Sequence, residues 1–238
     1  MDHSIKSIPE LLTTPEDGVV KCEGCGKDFD SDKSEWPSIC QACGELHRES
    51  DATSHYRETH ERNRERWNGF VPALYADTGI GHNTFNLSLW KSVEDWDGKD
   101  GMGLGLVGPS GSSKTRISYL LLKKGCMESR TIAAVTAREF VKLSQGQFRN
   151  NGENGFYQML KGWESASLLL VDGLDRVTKW SERTEGDLAG LLENRHERRR
   201  PVIWTTNAPS EHLWSKLPRG RQSPVATTLI QSTRIWAG

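Results

Sequence analysis

The 238-residue sequence contains no apolar run that approaches the ~20 residues of a membrane-spanning helix. Its first residues, MDHSIK, include no hydrophobic segment of the kind found in signal peptides. Charge is nearly balanced, with 31 Lys and Arg residues against 32 Asp and Glu residues, so the overall charge favours no particular partner. Together these absences predict a soluble cytoplasmic protein that does not bind a membrane.

Positive charge is nevertheless concentrated in the C-terminal part of the chain. From Asn194 onward there are eight Lys and Arg residues but only two acidic residues. Such a region could contact nucleic acid or phosphate, or it could be a solvated helix end followed by a loop. The eight basic residues are Arg195, Arg198, Arg199, Arg200, Lys216, Arg219, Arg221 and Arg234.

Cysteine is scarce, but four of the five cysteines form two C-x-x-C pairs. Cys22 and Cys25 make the first pair, Cys40 and Cys43 the second, and fourteen residues separate the pairs. In a reducing cell this spacing favours a four-thiolate zinc site over disulfides, although a redox dithiol or a chance arrangement remains possible. The fifth cysteine, Cys126, is predicted to be a small buried apolar residue.

Composition changes along the chain predict four segments. Residues 1–20 form a polar leader that we expect to be flexible, and residues 21–46 form the zinc-binding module. Residues 47–68 are rich in charges of both signs and have few apolar positions, which is typical of an exposed helical linker. Residues 69–238 contain the alternating apolar and helical patterns of a larger domain.

In this larger domain, short apolar runs alternate with amphipathic helical patterns. The first four runs, Leu104–Val107, Ile132–Val135, Leu168–Val171 and Val202–Thr205, are each predicted to be a buried strand, and Thr227–Ile230 a fifth. The pattern predicts an α/β fold, with a mainly parallel sheet covered by helices on both faces. Ligands of such sheets bind at the carboxyl ends of the strands.

The most informative segment follows the first of these strands and leads into a helix. A glycine-rich turn that ends in Lys-Thr between a strand and a helix is the order of a P-loop. There, backbone N–H groups surround phosphates, the lysine reaches the terminal phosphates, and the hydroxyl binds Mg²⁺. Its residues are Gly108, Pro109, Ser110, Gly111, Ser112, Ser113, Lys114 and Thr115.

Ser113 stands where the usual P-loop pattern, G-x-x-x-x-G-K-[ST], has its second glycine. Serine, unlike glycine, places a Cβ atom and a hydroxyl where the backbone of a P-loop passes close to a phosphate. We expect the serine to be tolerated if the backbone is helical at this position, with nucleotide binding retained and weakened.

Two further strands end in polar residues that suit nucleotide chemistry. The run Leu168–Val171 leads directly to Asp172, a carboxylate placed to bind Mg²⁺ beside the P-loop, unless it is a plain turn residue. The run Val202–Thr205 leads through Thr206 to Asn207, whose amide could orient water near a phosphate or could simply form a turn.

The block from Leu188 to Asn207 resembles the DnaC/IstB-type AAA+ ATPases, a family of helicase loaders and transposition helpers. In both, a Leu-rich helix leads through an N-R-x-x-x-R-R-P-like segment to a strand ending in T-[ST]-N. Val71-Pro72 and Tyr75 resemble the segment that borders the base pocket in that family, and Ser232-Thr233-Arg234 resembles its terminal S-x-R. The similarity covers about residues 70–236.

The resemblance implies specific roles for the polar residues. Gly108, Gly111, Lys114 and Thr115 would bind the phosphates of ATP and Mg²⁺. Asp172 would be the Walker B acid, and Asn207 the sensor 1 residue. Arg219 or Arg221 lies near the position of the arginine finger, which acts on the nucleotide of a neighbouring subunit and so requires a homo-oligomer. A phosphate-backbone contact or a plain loop charge is the competing interpretation of either arginine.

The chain departs from the family after the Walker B acid. Gly173 replaces the second acidic residue, which polarises the attacking water in relatives, and Asp175 could substitute only if the turn carries it inward. ATP binding is therefore expected, and ATP hydrolysis is expected to be slow. The resemblance implies a replication factor that assembles on single-stranded DNA and delivers a replicative helicase. The alternatives are a transposition helper that binds a transposase, and a nucleotide-gated DNA-binding regulator with little hydrolysis.

Overall fold

The computed structural model describes residues 19–237 apart from 24, 26, 34, 36–37, 84, 147–151, 209–211, 213, 216 and 218–219. All but the last two residues of the predicted leader, 1–20, lie outside the described residues. The chain divides into two compact units, residues 1–60 and residues 61–238. No helix in the part of the chain that the structure describes is long and apolar enough to cross a membrane.

The first unit contains a short antiparallel hairpin and the beginning of a long helix. Strand β1, Val19–Lys21, pairs with β2, Asp28–Asp30, so that Val20 lies opposite Phe29. A 3-10 turn, Ser31–Lys33, follows. Helix α1 then spans Gln41–Phe70, and the division between the two units falls within it. The predicted linker, residues 47–68, is thus helical, and its helix begins at Gln41.

The C-terminal part of α1 is not exposed throughout, which differs from the expectation for the linker. Within the second unit, Asn63 and Trp67 are buried. The Asn63 side chain donates hydrogen bonds to the Met127 carbonyl oxygen at 3.1 Å and to the Ser129 hydroxyl at 2.9 Å. The sequence pattern does not reveal this contact, because only two positions four residues apart, on one face of the helix, are buried in a segment otherwise rich in charges.

The second unit is built on a five-stranded parallel sheet with the order β4-β5-β6-β3-β7. The strands are β3, Gly103–Val107; β4, Ile132–Thr136; β5, Leu168–Asp172; β6, Val202–Thr206; and β7, Thr233–Ala237. The first four coincide with the predicted strands to within one residue at either end. Because parallel strands need crossover connections, helices separate them along the chain.

Polar side chains cap the first turns of three of the helices of this unit. The helices are α2, Leu87–Val93; α3, Lys114–Met127; α4, Ala137–Ser144; α5, Gly152–Ser165; α6, Glu182–Glu197; and α7, Pro224–Ser232. Asn86, Thr136 and Ser181 accept hydrogen bonds from backbone N–H groups three residues further on, at the starts of α2, α4 and α6.

The sheet buries apolar side chains on both faces. Along β5, Leu169 and Val171 belong to one core with Trp204, whereas Leu168 and Leu170 belong to a second core with Ile203. Alternate residues of a strand point to opposite faces, so an uninterrupted apolar strand requires a cover on each side. The predicted fold class, a parallel α/β sheet flanked by helices, is confirmed.

The predicted fifth strand, Thr227–Ile230, was wrong. These residues lie in α7, and the fifth strand is β7, which pairs with β3. Val225, Ala226 and Leu229 recur at helical spacing and are buried in the core, and Pro224 occupies the first turn, where a helix tolerates proline. A four-residue apolar run cannot by itself distinguish a strand from a buried helix segment.

Candidate nucleotide site and four-cysteine cluster

The predicted P-loop lies between the carboxyl end of β3 and the first turn of α3. The Gly108 N–H donates to the Thr206 carbonyl oxygen at 3.3 Å, which ties the loop to β6. A cavity of about 200 Å³ opens above this point. Predicted residues that line it are Ser110, Gly111, Ser113, Lys114, Thr115 and Asn207.

Lys114 is held against its own loop. Its ammonium donates to the carbonyl oxygens of Gly108 and Pro109, at 2.8 and 2.7 Å, and to the Ser112 hydroxyl at 3.0 Å. Burial lowers the pKa of Lys114, and the nearby carboxylates of Asp175 and Asp172 partly oppose that shift. These weak carbonyl partners are the kind that an anionic ligand can replace.

Asp172 connects the P-loop to two strands of the sheet. Its Oδ1 atom accepts hydrogen bonds from the hydroxyls of Thr115, at 2.8 Å, and Thr205, at 2.7 Å. The Thr205 hydroxyl in turn accepts from the Gly173 N–H at 2.8 Å. The Asp172 side chain is buried at the carboxyl end of β5, and its Oδ2 atom lies 3.7 Å from the Arg176 guanidinium. The hydroxyl and the carboxylate predicted to bind Mg²⁺ are therefore in direct contact.

Asn207 and Asp175 also meet at this edge of the sheet. The Asn207 backbone N–H donates to Asp175 Oδ1 at 2.8 Å, and its side-chain amide donates to Oδ2 at 3.3 Å. Asp175 lies in a 3-10 turn, Leu174–Arg176, directly after Gly173. The Asp175 carboxylate, like that of Asp172, acts to raise the pKa of Lys114 against the effect of burial.

Ser113 does not have the helical backbone that would make a serine easy to accommodate. Its φ is 64° and its ψ is 11°, in the left-handed region that favours glycine. The Ser113 hydroxyl accepts a hydrogen bond from the Asn86 N–H at 3.2 Å, a contact that glycine could not make. The P-loop thus keeps the backbone shape of the glycine that Ser113 replaces, at a conformational cost of about 1 kcal/mol.

The cavity has three polar lining residues that the sequence patterns did not single out: Arg116, Arg176 and Thr205. Thr205 carries a hydroxyl in an otherwise largely apolar strand, which is the signal that could have identified it. Arg116 pairs with Asp77 at 3.0 Å and lies 5.7 Å from the ring centre of Tyr75, the residue expected to border the base pocket. Its hydrogen bond lowers the pKa of Asp77.

The predicted basic C-terminal region is divided in the structure. Arg195 is fully buried, and Arg234 pairs with Asp100 at 2.8 Å. Arg198 and Arg199 precede β6, at the amino end of the parallel sheet. Arg221 is exposed and lies between β6 and α7, beyond the carboxyl end of β6. One arginine of the predicted basic region is therefore buried in the fold and another is ion-paired, and Lys216 lies outside the described residues. Arg219, the other candidate arginine finger, lies outside the described residues.

In the first unit, the four predicted zinc ligands converge. The sulfurs of Cys22, Cys25, Cys40 and Cys43 all lie within 4.8 Å of one another, and those of Cys25 and Cys40 are 3.9 Å apart. Zn–S bonds of about 2.3 Å in a tetrahedron place sulfurs about 3.8 Å apart, so the group fits a zinc ion.

The backbone and the thiol chemistry also suit such a metal cluster. The Cys22 N–H donates to the Lys27 carbonyl oxygen at 2.9 Å, which closes the first turn, and the Cys40 N–H donates to the Cys22 sulfur at 3.3 Å. Hydrogen bonds of the Cys43 thiol to the neighbouring sulfurs, that of Cys40 above all, raise the pKa of Cys43 to about 12. A metal ion would therefore have to displace thiol protons on binding.

The parallel sheet, with the predicted P-loop directly after β3 and Asp172 at the end of the nearby strand β5, has the arrangement of a P-loop fold. No protein-family model and no curated protein matches the sequence. Solved structures do match, among them the DnaC helicase loader, with a TM-score of 0.54, 15% identity, and coverage of 70% of this chain and 99% of that chain. DnaI matches with a TM-score of 0.57, 15% identity, and coverage of 71% and 94%.

The replication initiator DnaA, bound to AMPPCP and single-stranded DNA, matches with a TM-score of 0.54 and 14% identity over 71% of this chain. The match spans 50% of the length of this initiator and 50% of that of a DNA replication initiation factor. The chain therefore has the AAA+ fold of helicase loaders and replication initiators, as the sequence resemblance predicted. At these identities the likeness establishes the fold alone.

Proposed function

We propose that the protein binds ATP with Mg²⁺ and acts in DNA replication as a helicase-loader-like factor. The observation that carries this proposal is the 2.8 Å hydrogen bond between Thr115 and Asp172. It brings a P-loop hydroxyl and a strand-end carboxylate together beside Lys114, which is the donor set that P-loop proteins use for nucleotide-bound Mg²⁺. An accidental strand-terminal aspartate would have no reason to contact the P-loop threonine.

The residues of the site divide the binding task. Backbone N–H groups from Ser110 to Thr115 would surround the phosphates at the start of α3, where the helix dipole also favours negative charge. Lys114 would exchange its loop carbonyls for phosphate oxygens. Thr115 and Asp172 would hold Mg²⁺, which supplies positive charge next to the phosphates when it is bound.

ATP hydrolysis would depend on Asp175. Asn207 holds the Asp175 carboxylate through two hydrogen bonds, so the acid that is absent at position 173 could be supplied by Asp175, two residues further on. A carboxylate in that place could accept a proton from the attacking water. Arg221 or Arg219 would complete the site of a neighbouring subunit in a homo-oligomer, as an arginine finger does.

The replication role is supported by the fold of the second unit and by the chemistry of the first. A DnaC helicase loader and a DnaA initiator bound to single-stranded DNA share the fold. Single-stranded DNA is the proposed nucleic-acid partner, with the exposed Arg198 and Arg199 as candidate phosphate contacts. A zinc-stabilised module around Cys22 and Cys43 would dock a protein partner, for which a replicative helicase is the best candidate.

One observation favours a second function, a nucleotide-gated regulator with little hydrolysis. Gly173 has a φ of 73° and leaves no second carboxylate next to Asp172. Steady-state ATPase measurements with and without single-stranded DNA separate the two functions. Turnover equal to that of Lys114→Ala and Asp172→Ala variants would favour the regulator.

The helicase-loading role has its own test. The full-length protein is purified with a hexameric replicative helicase from the same host, with and without ATP and Mg²⁺. Co-purification that depends on ATP and is lost in Lys114→Ala supports loading. Absence of helicase binding together with binding of a transposase overturns it in favour of a transposition helper.

A further inference from the structure

Gly173 and Arg176 occupy one space at the end of β5. A Cβ atom added to Gly173 would lie 2.7 Å from Arg176 Cδ and 3.0 Å from its Nε atom. The aliphatic stem of Arg176 therefore passes directly over the glycine. The position that carries a second acid in related sequences is here covered by an arginine side chain, so the loss of the acid and the presence of the arginine belong together.

The backbone of Arg176 is fixed while its guanidinium is not. The Arg176 N–H donates to the Gly173 carbonyl oxygen at 2.9 Å, and its own carbonyl oxygen accepts from Arg138 Nε at 2.9 Å. Its side chain, by contrast, is 45% exposed and lines the same cavity as Lys114 and Thr115. The Arg176 guanidinium can therefore exchange one hydrogen-bond or ion-pair partner for another while the backbone of the turn stays in place.

The guanidinium of Arg176 is paired with Asp172, the same carboxylate that would bind Mg²⁺. Arg176 lies 3.7 Å from Asp172 Oδ2, whereas Oδ1 receives the hydroxyls of Thr115 and Thr205. The 3.7 Å separation is too long for a hydrogen bond and the Arg176 side chain is half-exposed, so this ion pair is weak. A divalent cation held by Thr115 and Asp172 would compete with Arg176 for the carboxylate, because its charge is twice as large.

We propose that Arg176 binds the terminal phosphate of the nucleoside triphosphate in its own subunit, and that it leaves Asp172 to do so. This rests on the proposed nucleotide function and deepens it. Lys114 and Arg176 would approach the phosphates from two sides of the cavity, and Arg176 would distinguish a triphosphate from a diphosphate. A glutamate at position 173 would collide with the arginine stem and neutralise its head group, which accounts for the glycine.

The test is the affinity of the full-length protein for ATP and for ADP, each with Mg²⁺, measured by equilibrium titration. Arg176→Gln keeps most of the stem over Gly173 and removes the charge. It should weaken ATP binding about tenfold or more and ADP binding less than about twofold, because a charge-assisted contact to the terminal phosphate alone is lost. Arg176→Lys should lie between the wild type and Arg176→Gln. Arg183→Gln, at an exposed position on α6, is the matched control and should change neither affinity.

Each outcome decides between the proposals. A fall in both affinities by the same factor, or no change in either, overturns the role of Arg176. If Lys114→Ala abolishes nucleotide binding while Arg176→Gln leaves the ratio of the ATP and ADP affinities unchanged, only the Arg176 proposal fails. If the wild type binds neither nucleotide, the nucleotide function and the role of Arg176 fail together.

Discussion

Asn207 donates two hydrogen bonds to the carboxylate of Asp175, one from its backbone N–H at 2.8 Å and one from its side-chain amide at 3.3 Å. The first residue follows β6, and the second lies in the turn that follows β5. The segments that follow two neighbouring strands thereby fix a carboxylate at the carboxyl edge of the sheet, in a chain that has glycine at position 173. Slow hydrolysis is expected because Gly173 supplies no carboxylate. The hydrogen bonds from Asn207 make Asp175 the candidate for that missing base.

We predict that Asp175→Asn lowers ATP turnover about 100-fold, since general-base catalysis contributes about that much or more. ATP affinity should change little, because an amide at position 175 keeps an acceptor oxygen for the Asn207 N–H. Steady-state hydrolysis and equilibrium binding of the same preparation check both statements. Wild-type turnover in the Asp175→Asn protein would exclude this residue as the base.

Two substitutions of Ser113 measure how much its left-handed backbone destabilises the protein, independently of the hydrogen bond to its hydroxyl. Ser113→Ala and Ser113→Gly both lose the hydrogen bond from Asn86, but only alanine keeps a side chain in the left-handed region. We predict that the alanine variant is less stable than the glycine variant by about 1 kcal/mol. Urea unfolding of the two proteins measures the difference. Equal stability would show that the left-handed backbone at this position costs nothing.

The cysteine cluster is predicted to hold one zinc ion per chain. Cys22→Ser and Cys40→Ser should lose it, whereas Cys126→Ser, at a cysteine outside the cluster, should retain it. Metal analysis gives the stoichiometry, and hydrogen exchange of residues 19–30 should become fast when the ion is lost, because the hairpin has no large core of its own. Zinc-free wild-type protein, or slow exchange in Cys22→Ser, contradicts a structural zinc site.

Arg195 is predicted to be a large contributor to the stability of the second unit. Its guanidinium donates to the carbonyl oxygens of Ala166 and Pro201, both at 2.8 Å, and also to that of Trp163. Burial lowers the pKa of Arg195 to about 10, so the side chain remains charged at neutral pH. Arg195→Met should lower the free energy of unfolding by about 3 kcal/mol, because buried acceptors lose their donors.

The matched control for this stability experiment is Arg198→Met, at an exposed position of the same basic run. It should change the free energy of unfolding by less than about 0.5 kcal/mol. Comparable effects of the two substitutions in urea unfolding would mean that the carbonyl contacts of Arg195 do not stabilise the fold.

The sequence predicted the strands that carry the site because each is an apolar run that ends in a polar residue. Leu168–Asp172 and Val202–Thr206 are examples, and they place Asp172 and Asn207 at one edge of a parallel sheet. It failed for Thr227–Ile230, where burial on a helix face produces the same short apolar run as a strand. Local composition decides between strand and helix only over longer segments.

Other features depend on three-dimensional relations that spacing does not encode. The left-handed backbone of Ser113 follows from the course of the whole P-loop, which serine alone does not indicate. Arg176 becomes part of the site only because the turn at Gly173 folds it back over Asp172. Arg195 belongs to an arginine-rich run, yet it is buried and donates to the carbonyl oxygens of Ala166 and Pro201, which the run does not indicate.

The central claim is that the P-loop, Lys114 and Asp172 form a binding site for ATP with Mg²⁺. Its most direct test is equilibrium binding of ATP to the full-length protein, with and without Mg²⁺, for the wild type, Lys114→Ala and Asp172→Ala. The wild type should bind ATP more tightly with Mg²⁺, Lys114→Ala should lose binding, and Asp172→Ala should lose the effect of Mg²⁺. Wild-type affinity that neither substitution alters, or no binding by the wild type, would contradict it.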